Sequence, residues 1–324
     1  MFSRPFLPHR FLRNGHLQTI CGTYWPDRWQ CRETKVHRVD LPDGDAVLLH
    51  ENAGYGSSRP LAVLFVHGLG GSHASGYVRR TAAKLNAVGV RTFRIDMRGH
   101  GAAAFTASRP GHAGRSEDIA AAAEFIQRLI PAVKLVIAGF SLGGNIVLKM
   151  AGEFGQDPPA WITKVLAVAP PIDLTHCSAN LATRQGLLYD RVFVKAAIAR
   201  VKQLHRLGII PGTLPRRWPG RLVEFDDCFT APRSGFRDVA DYYAQCSSAP
   251  RLADIQLPTT IVSAADDPIV PGDMFASVKL SASTHLVLTP HGGHLGYLAR
   301  RSADADRRWL DWRIVEWVLA EQDD

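Results

Sequence analysis

The sequence predicts an α/β fold in which a mostly parallel, twisted sheet is flanked by helices and carries an inserted cap region. Three observations lead to this prediction. Short apolar, β-branched segments alternate with longer helical patterns, a proline or glycine ends several of these segments, and one long interval around residue 200 breaks the alternation. Strands that alternate with helices favour parallel pairing, with helices covering both faces of the sheet.

Eight segments are predicted to be strands. The first two, Lys35–Leu41 and Ala46–His50, flank a Pro-Asp-Gly-Asp turn, so we expect a hairpin and antiparallel pairing at the start of the sheet. The other six are short and apolar, which is typical of strands buried on both faces. They are Leu61–Val66, Val90–Asp96, Val133–Ala138, Lys164–Ala169, Thr259–Ser263 and Thr284–Leu288.

Helical patterns follow several of these strands. Tyr77–Val88 is a predicted helix that ends at Gly89, and Ser116–Ile130 is an alanine-rich one with Ser116 as its expected N-cap. Further helices are expected over Ser141–Glu153 and over Ala303–Ala320, where apolar residues recur near helical spacing.

The interval of residues 172–250 breaks this alternation. It contains a helix-like piece (Arg191–Leu207), a stretch rich in proline, glycine and arginine, and an aromatic and acidic stretch. We interpret it as a cap over the carboxyl edge of the sheet, where pockets of such folds lie; the alternative is a peripheral extension without a role at the site. The predicted division is an N-terminal extension (1–33), a core (34–171 and 251–324) and a cap (172–250).

The composition excludes several classes of protein. Of 324 residues, 46% are hydrophobic and 21% charged, as in ordinary soluble globular proteins. The apolar runs are too short to cross a bilayer, and the two prolines near the N-terminus argue against a signal peptide. The five scattered cysteines suggest reduced thiols in the cytoplasm rather than a disulfide framework.

The 38 lysine and arginine residues outnumber the 30 aspartate and glutamate residues, which gives a net charge of +8. We interpret the excess as a solvated surface, because the arginine doublets are dispersed and no nucleic-acid motif accompanies them. We therefore expect no nucleic-acid partner, while peripheral membrane contact is left open.

The strongest motif is Gly139-Phe140-Ser141-Leu142-Gly143, which matches G-x-S-x-G. It follows an apolar strand and opens a helix, as a nucleophile elbow requires. The glycines permit a sharp turn, and Ser141 is lifted clear of the sheet at a helix N-terminus. The alternative is that Ser141 is only a helix N-cap.

A glycine-rich segment, His67–Gly71, directly follows the predicted strand Leu61–Val66. We predict that the backbone N–H groups of Leu69 and Leu142 form an oxyanion hole there. His67 is expected to hold this loop rather than to act as a base. His100, which follows another strand, is expected to be structural as well.

An acid and a base are predicted from two later loops. Ser141 needs a neutral imidazole to accept its proton, and the imidazole needs a carboxylate to fix its tautomer. We predict His294 as the base and Asp267 as its partner. Asp266 as the acid and His291 as the base remain alternatives, as does a metal site formed by His291, His294 and Asp266.

Together these segments resemble the α/β-hydrolase superfamily. Asn14–Thr19, Gly139–Asn145 and His291–Gly296 are similar to its YheT-like branch (AB hydrolase family 4), and the resemblance extends from about residue 10 to 320. It implies esterase, lipase-like or acyl-transfer chemistry on carboxylic esters, with Ser141, Asp267 and His294 at the triad positions. The turn Asp96–Gly101 departs from the branch, where an Asn-Phe-Arg-Gly-Cys type of turn is expected.

The sequence thus predicts a serine carboxylic-ester hydrolase acting on small-molecule or lipid esters with short to medium acyl chains. No cofactor and no metal are expected, and the oligomeric state is left open. The alternatives are an acyltransferase that passes the acyl group to an alcohol or lipid, and a catalytically inactive binding module. Asn14–Thr19 is expected to have a structural role, by capping a helix or lining the pocket.

Overall fold

The computed structural model describes residues 4–31, 34–55 and 60–320. Residues 1–3 and 32–33 of the predicted extension, and residues 56–59 and 321–324 of the predicted core, lie outside the described residues. Eight strands form one sheet in the order β1-β2-β4-β3-β5-β6-β7-β8. Their bounds are β1 Lys35–Asp40, β2 Ala46–Asn52, β3 Leu61–Val66, β4 Arg91–Asp96, β5 Lys134–Phe140, β6 Ile162–Val168, β7 Thr259–Ala264 and β8 Thr284–Thr289.

The sheet is mostly parallel, which confirms the predicted fold class. Strands β3 to β8 run parallel to one another, whereas β2 is antiparallel to both β1 and β4. The predicted hairpin is present, with Asp40 paired to Ala46 across a turn in which Gly44 adopts a φ of 87°. Glycine suits this turn because side chains disfavour positive φ.

Two helical layers cover the sheet. Helices α2 (Gly76–Ala87) and α10 (Trp309–Leu319) pack on one face, against side chains such as Val63 and Phe65. Helices α3 (Ser116–Leu129) and α4 (Leu142–Glu153) pack on the other face, against the alternate side chains of the same strands. This alternation explains why the strands read as continuous apolar runs.

Two of the features predicted at helix starts differ in the structure. Ser116 does not cap α3, because it is the first helical residue and its hydroxyl donates a hydrogen bond to the carboxylate of Glu153 on α4. The last helix begins at Trp309 rather than Ala303. The preceding residues fold back instead, with the N–H of Ala299 donating to the carbonyl of Arg307.

Residues 172–250 connect β6 to β7 and are mainly helical. The segment contains α5 (Leu174–Leu181), α6 (Leu187–Arg206), α7 (Leu222–Phe225), α8 (Ala231–Arg233) and α9 (Val239–Cys246). A π-helical turn, Asp226–Thr230, joins α7 to α8. Within the three described ranges, no helix combines the length and apolar character needed to cross a bilayer.

The N-terminal helix is one of several helices that were not predicted. Helix α1 (Gly15–Tyr24) lies within the predicted extension, and its N-cap is Asn14, whose side chain accepts hydrogen bonds from the N–H groups of His16 and Leu17. Its buried residues are Gly15, Gln18, Thr19 and Gly22. Since none of the four is a large apolar residue, the pattern that normally predicts a packed helix is missing.

Candidate active site

Ser141 occupies the sharp turn between β5 and α4. Its φ of 52° and ψ of −123° lie in a region that side chains rarely adopt. The flanking glycines make the turn possible, because a Cβ on Gly139 would come within 2.3 Å of the carbonyl oxygen of Gly143. A Cβ on Gly143 would likewise lie 2.5 Å from the carbonyl oxygens of Val66 and His67. The backbone therefore presents the Ser141 hydroxyl above the end of the sheet.

Three side chains from separate loops form a continuous hydrogen-bonded chain. The Nε2 atom of His294 lies 2.9 Å from Oγ of Ser141, and its Nδ1 atom lies 2.8 Å from Oδ2 of Asp267. The other carboxylate oxygen of Asp267 accepts hydrogen bonds from the N–H groups of Ile269 and Val270. The Asp267 side chain is 0% exposed. This geometry can pass a proton from the hydroxyl to the imidazole and stabilise the resulting cation.

The neighbouring acidic residue faces another way. Asp266 accepts a hydrogen bond from the N–H of Gly293 at 2.9 Å, and its Oδ2 lies 3.3 Å from Nδ1 of His291. His291 is partly exposed and has no contact with Ser141 among the hydrogen bonds of the described chain. The structure thus brings His294 and Asp267 to the serine, and it places Asp266 in support of the loop that carries His294.

The Asn14–Thr19 segment packs against the loop that carries His294. The hydroxyl of Thr19 accepts a hydrogen bond from the N–H of His294 at 2.8 Å and donates one to the carbonyl of Gly15. The amide of Gln18 bonds both the N–H and the carbonyl of Leu298. Helix α1 therefore holds the loop at His294 and again at Leu298, a function that residue types alone did not reveal.

Close packing between α1 and this loop depends on glycine. A Cβ on Gly15 would lie 1.8 Å from the carbonyl oxygen of Asp266, and one on Gly22 would lie 2.6 Å from Cα of Gly296. Within the loop, Leu295 and Tyr297 have positive φ values of 61° and 44°. Such conformations persist only when their surroundings hold them, and α1 provides part of that support.

Two backbone N–H groups without protein acceptors in the described ranges indicate a hydrogen-bonding site beside Ser141. Leu69 and Leu142 line the same cavity as the serine, and among the residues described neither N–H has a protein acceptor. Gly68, next to Leu69 in the chain, packs closely on the nucleophile, because a Cβ on Gly68 would lie 3.0 Å from the Cβ of Ser141. A carbonyl oxygen of a bound substrate can accept hydrogen bonds at this point.

His67 and His100 lie beneath the loop that carries Leu69. His67 is fully buried; its Nδ1 faces the carbonyl of Gly68, and its Nε2 accepts a hydrogen bond from the N–H of Met97. Burial lowers the pKa of His67 to about 3, so its imidazole is neutral near pH 7. His100 bonds the carbonyl of Arg98 through Nδ1. The structural roles of His67 and His100 stay predictions, and His100 also lines the cavity that contains Ser141.

A largely apolar cavity of about 450 Å³ extends from Ser141 beneath residues 172–250. Its wall includes Leu181, Phe193 and Ile210, together with Phe225 and Phe229 from the segment around the π-helical turn. A volume of this size is typical of pockets that enclose small organic ligands.

One acidic side chain interrupts the apolar wall. Asp226 belongs to the π-helical turn and accepts a hydrogen bond from the hydroxyl of Tyr243 at 2.8 Å. Burial raises the pKa of Asp226 to about 6, against an ordinary value of 3.8. No sequence pattern distinguished this residue, because an aspartate in a helical stretch is normally solvated.

Three residues outside the serine site have metal-ligating side chains close together. The ligand atoms of His50, His73 and Asp96 lie within 4.8 Å of one another. The two imidazole rings are stacked 3.4 Å apart, however, and both direct a nitrogen at the Asp96 carboxylate at 2.8–3.0 Å. Parallel rings cannot both aim an in-plane lone pair at one ion between them, so we interpret the cluster as a hydrogen-bonded carboxylate that anchors the His73 loop.

Comparison with known proteins identifies the family. A model of the alpha/beta hydrolase family matches residues 63–306, well over half of the chain. The chain belongs to the alpha/beta hydrolase family. This alpha/beta hydrolase is 31% identical over 325 residues to YheT of Escherichia coli (strain K12), a match that covers 98% of this chain and 93% of YheT. The predicted resemblance to the YheT-like branch is confirmed.

Other relatives agree with this assignment. Phospholipase ABHD3 of Mus musculus is 25% identical over 318 residues, which cover 89% of this hydrolase and 76% of the relative. Among solved structures, the esterase Pf2001 of Pyrococcus furiosus superposes with a TM-score of 0.58 at 16% identity, with 98% of each chain covered. At that identity the superposition shows the shared fold alone.

Proposed function

We propose that this alpha/beta hydrolase is a serine carboxylic-ester hydrolase that works through an acyl-enzyme intermediate. The observation that carries the proposal is the 2.9 Å contact between Oγ of Ser141 and Nε2 of His294, with Asp267 bonded to the opposite nitrogen. Ester chemistry is further supported by the names of two relatives, the putative esterase YheT and phospholipase ABHD3. No cofactor enters this mechanism.

In the first half-reaction, Oγ of Ser141 attacks the carbonyl carbon of the ester while its proton moves to Nε2 of His294. The negative charge that develops on the carbonyl oxygen is held by the N–H groups of Leu69 and Leu142. The tetrahedral intermediate then collapses, the C–O bond to the leaving group breaks, and His294 returns the proton to the departing alkoxide. The products are a free alcohol and acyl-Ser141.

In the second half-reaction, water replaces the alcohol. His294 accepts a proton from the water, whose oxygen attacks the acyl carbon of acyl-Ser141. Collapse of this intermediate breaks the bond to Oγ, and the proton on His294 returns to the serine. Asp267 stabilises the imidazolium in both halves because its carboxylate is buried and bonded to Nδ1.

The cavity favours substrates with an apolar acyl group of short to medium length, which would bind in it. Its wall is mainly aliphatic and aromatic, and residues 172–250 contribute much of it. We therefore propose that residues 172–250 act as a cap, that 34–171 with 251–324 form the catalytic core, and that 1–33 form an extension. The five free cysteines favour a reducing compartment such as the cytoplasm.

The test is hydrolysis of p-nitrophenyl acetate, butyrate, octanoate and palmitate by wild type and by Ser141→Ala. We expect wild-type turnover to be best with the shorter and intermediate esters, and Ser141→Ala to lose it by roughly 10⁴-fold or more. Ser178→Ala, which changes another cavity-lining serine, is the matched control. Unchanged turnover in Ser141→Ala would remove the proposal, and added alcohol that yields a new ester would favour acyl transfer.

A further inference from the structure

Helix α1 has an inverted distribution of polar and apolar side chains. Its buried face consists of Gly15, Gln18, Thr19 and Gly22, whereas Leu17 and Ile20 are 45% and 44% exposed. Phe11, in the segment leading into the helix, is 68% exposed. Apolar side chains spaced three or four residues apart on an outer face mark a contact surface for something other than water.

Helix α6 continues this apolar surface. Leu188 and Val192, one helical turn apart, are 63% and 55% exposed. The two helices touch, because the His16 ring stacks on the Tyr189 ring and its Nδ1 lies 3.0 Å from the tyrosine hydroxyl. We call the exposed residues Phe11, Leu17, Ile20, Leu188 and Val192 the α1/α6 surface.

Positive charge accompanies the apolar residues on both helices. Arg10, Arg13, Arg191 and Lys195 are exposed, and none has an ion-pair partner in the described part of the chain. Residues 4–26 contain no aspartate or glutamate, and within α6 the one acidic residue, Asp190, is buried against Arg221. The surface therefore combines apolar side chains with unpaired cations and lacks exposed anions.

We infer that the α1/α6 surface docks on an anionic lipid membrane. Apolar side chains interleaved with arginine and lysine are what an interfacial helix needs, because the former enter the acyl boundary and the latter meet lipid phosphates. A second copy of this chain fits poorly, since a two-fold contact would bring like charges together.

The surface meets the cavity at an exposed lining residue, from which we infer that the cavity opens there. Val192 both belongs to the α1/α6 surface and lines the cavity, and the partly exposed Leu69 lines the cavity as well. Docking at this place would bring the opening towards the lipid, so that an apolar ester could enter without crossing water.

The experiment measures co-sedimentation of the full-length protein with vesicles of phosphatidylcholine alone or mixed with phosphatidylserine. We expect binding to the anionic vesicles that weakens as salt is raised, and little binding to the neutral ones. Arg13→Gln/Arg191→Gln is expected to weaken binding by roughly 30-fold, because each charge contributes about fivefold. Leu17→Ser/Leu188→Ser is expected to weaken it to a similar degree.

Matched controls remove the same number of cations or apolar side chains elsewhere on the protein. Lys35→Gln/Lys279→Gln removes two exposed cations, and Val36→Ser/Val88→Ser removes two exposed apolar side chains, all outside the α1/α6 surface. These controls should bind as wild type does. All four variants should hydrolyse a water-soluble ester normally, which separates this test from failure of the proposed function.

Two results would overturn the inference. The first is wild-type protein that stays in the supernatant with anionic vesicles, including the case in which light scattering shows a dimer that buries the surface. The second is an equal loss of binding in the surface variants and in their controls. This result would mean that net charge or non-specific hydrophobic adsorption, rather than the α1/α6 surface, accounts for membrane binding.

Discussion

At the scale of single residues, two adjacent carboxylates have different surroundings and different tasks. Asp267 is enclosed, and its two oxygens are divided between the His294 imidazole and the N–H groups of Ile269 and Val270. Asp266 contacts Gly293 and the partly exposed His291 instead. We therefore propose that Asp267 fixes the tautomer of His294 as the base, while Asp266 supports the backbone that carries His294.

The two carboxylates can be separated by isosteric substitution. Asp267→Asn is expected to lower kcat by roughly 10³–10⁴-fold, because an amide cannot stabilise the imidazolium and favours the wrong tautomer. Asp266→Asn is expected to cost far less. Both values come from p-nitrophenyl butyrate turnover, with circular dichroism confirming that each variant is folded. Equal losses in the two variants would contradict the assignment.

The sequence pointed to Ser141 directly, because a glycine-flanked serine between a strand and a helix is typical of a nucleophile elbow. It favoured Asp267 and His294 but left Asp266 and His291 open. Adjacent residues of one loop lie close together in the sequence, but their side chains point in different directions. Tertiary contacts, which the local sequence does not encode, set those directions. The contacts of Thr19 and Gln18 with the His294 loop depend on residues almost 280 positions apart, so no local pattern could predict them.

At the scale of elements, strands and buried helices were predictable and α1 was not. The strands are continuous apolar runs because helices cover both sides of the sheet, and their observed ends differ from the prediction by at most two residues. Helix α1 buries glycine, glutamine and threonine and exposes leucine and isoleucine. Its packing relies on close backbone approach and hydrogen bonds, which leave no apolar periodicity in the sequence.

Close approach of α1 to the His294 loop gives a prediction. In an unobstructed helix, Gly22→Ala would gain about 1 kcal/mol of stability, since alanine is the better helix former. Here the new Cβ would lie 2.6 Å from Cα of Gly296. We expect the opposite sign: a lower melting temperature, with reduced kcat as α1 moves off the loop.

The control is Gly220→Ala, because a Cβ there has open space and the residue has no positive φ. Differential scanning fluorimetry and ester turnover measure both variants. A Gly22→Ala protein as stable and active as the control would mean that α1 does not support the His294 loop.

At the scale of the whole molecule, the sheet edge and the segment 172–250 enclose one cavity, and an ionisable side chain lies in its wall. The general position of this segment was predicted from the break in strand and helix alternation. The π-helical turn and the hydrogen bond between Asp226 and Tyr243 were not predicted. Both arise from how α7, α8 and α9 pack together.

Asp226 links stability to pH. Its pKa is raised to about 6 in the folded protein, so the folded state holds this proton more tightly than the unfolded state does. Its contribution to stability is present below pH 4 and is lost as pH rises through about 6. The Asp226→Asn side chain has no charge to bury at any pH. We therefore expect the melting temperature of the variant minus that of wild type to be a few degrees higher at pH 7.5 than at pH 4.5. A difference that is constant over this range would contradict the raised pKa.

The most direct test of the central claim is covalent labelling with a fluorophosphonate, followed by peptide mass spectrometry. The account predicts one modified peptide, with the phosphonyl group on Ser141, and predicts that His294→Gln prevents the modification because the serine then lacks its base. A wild-type protein that stays unlabelled, or that carries the label on another serine, would contradict the account.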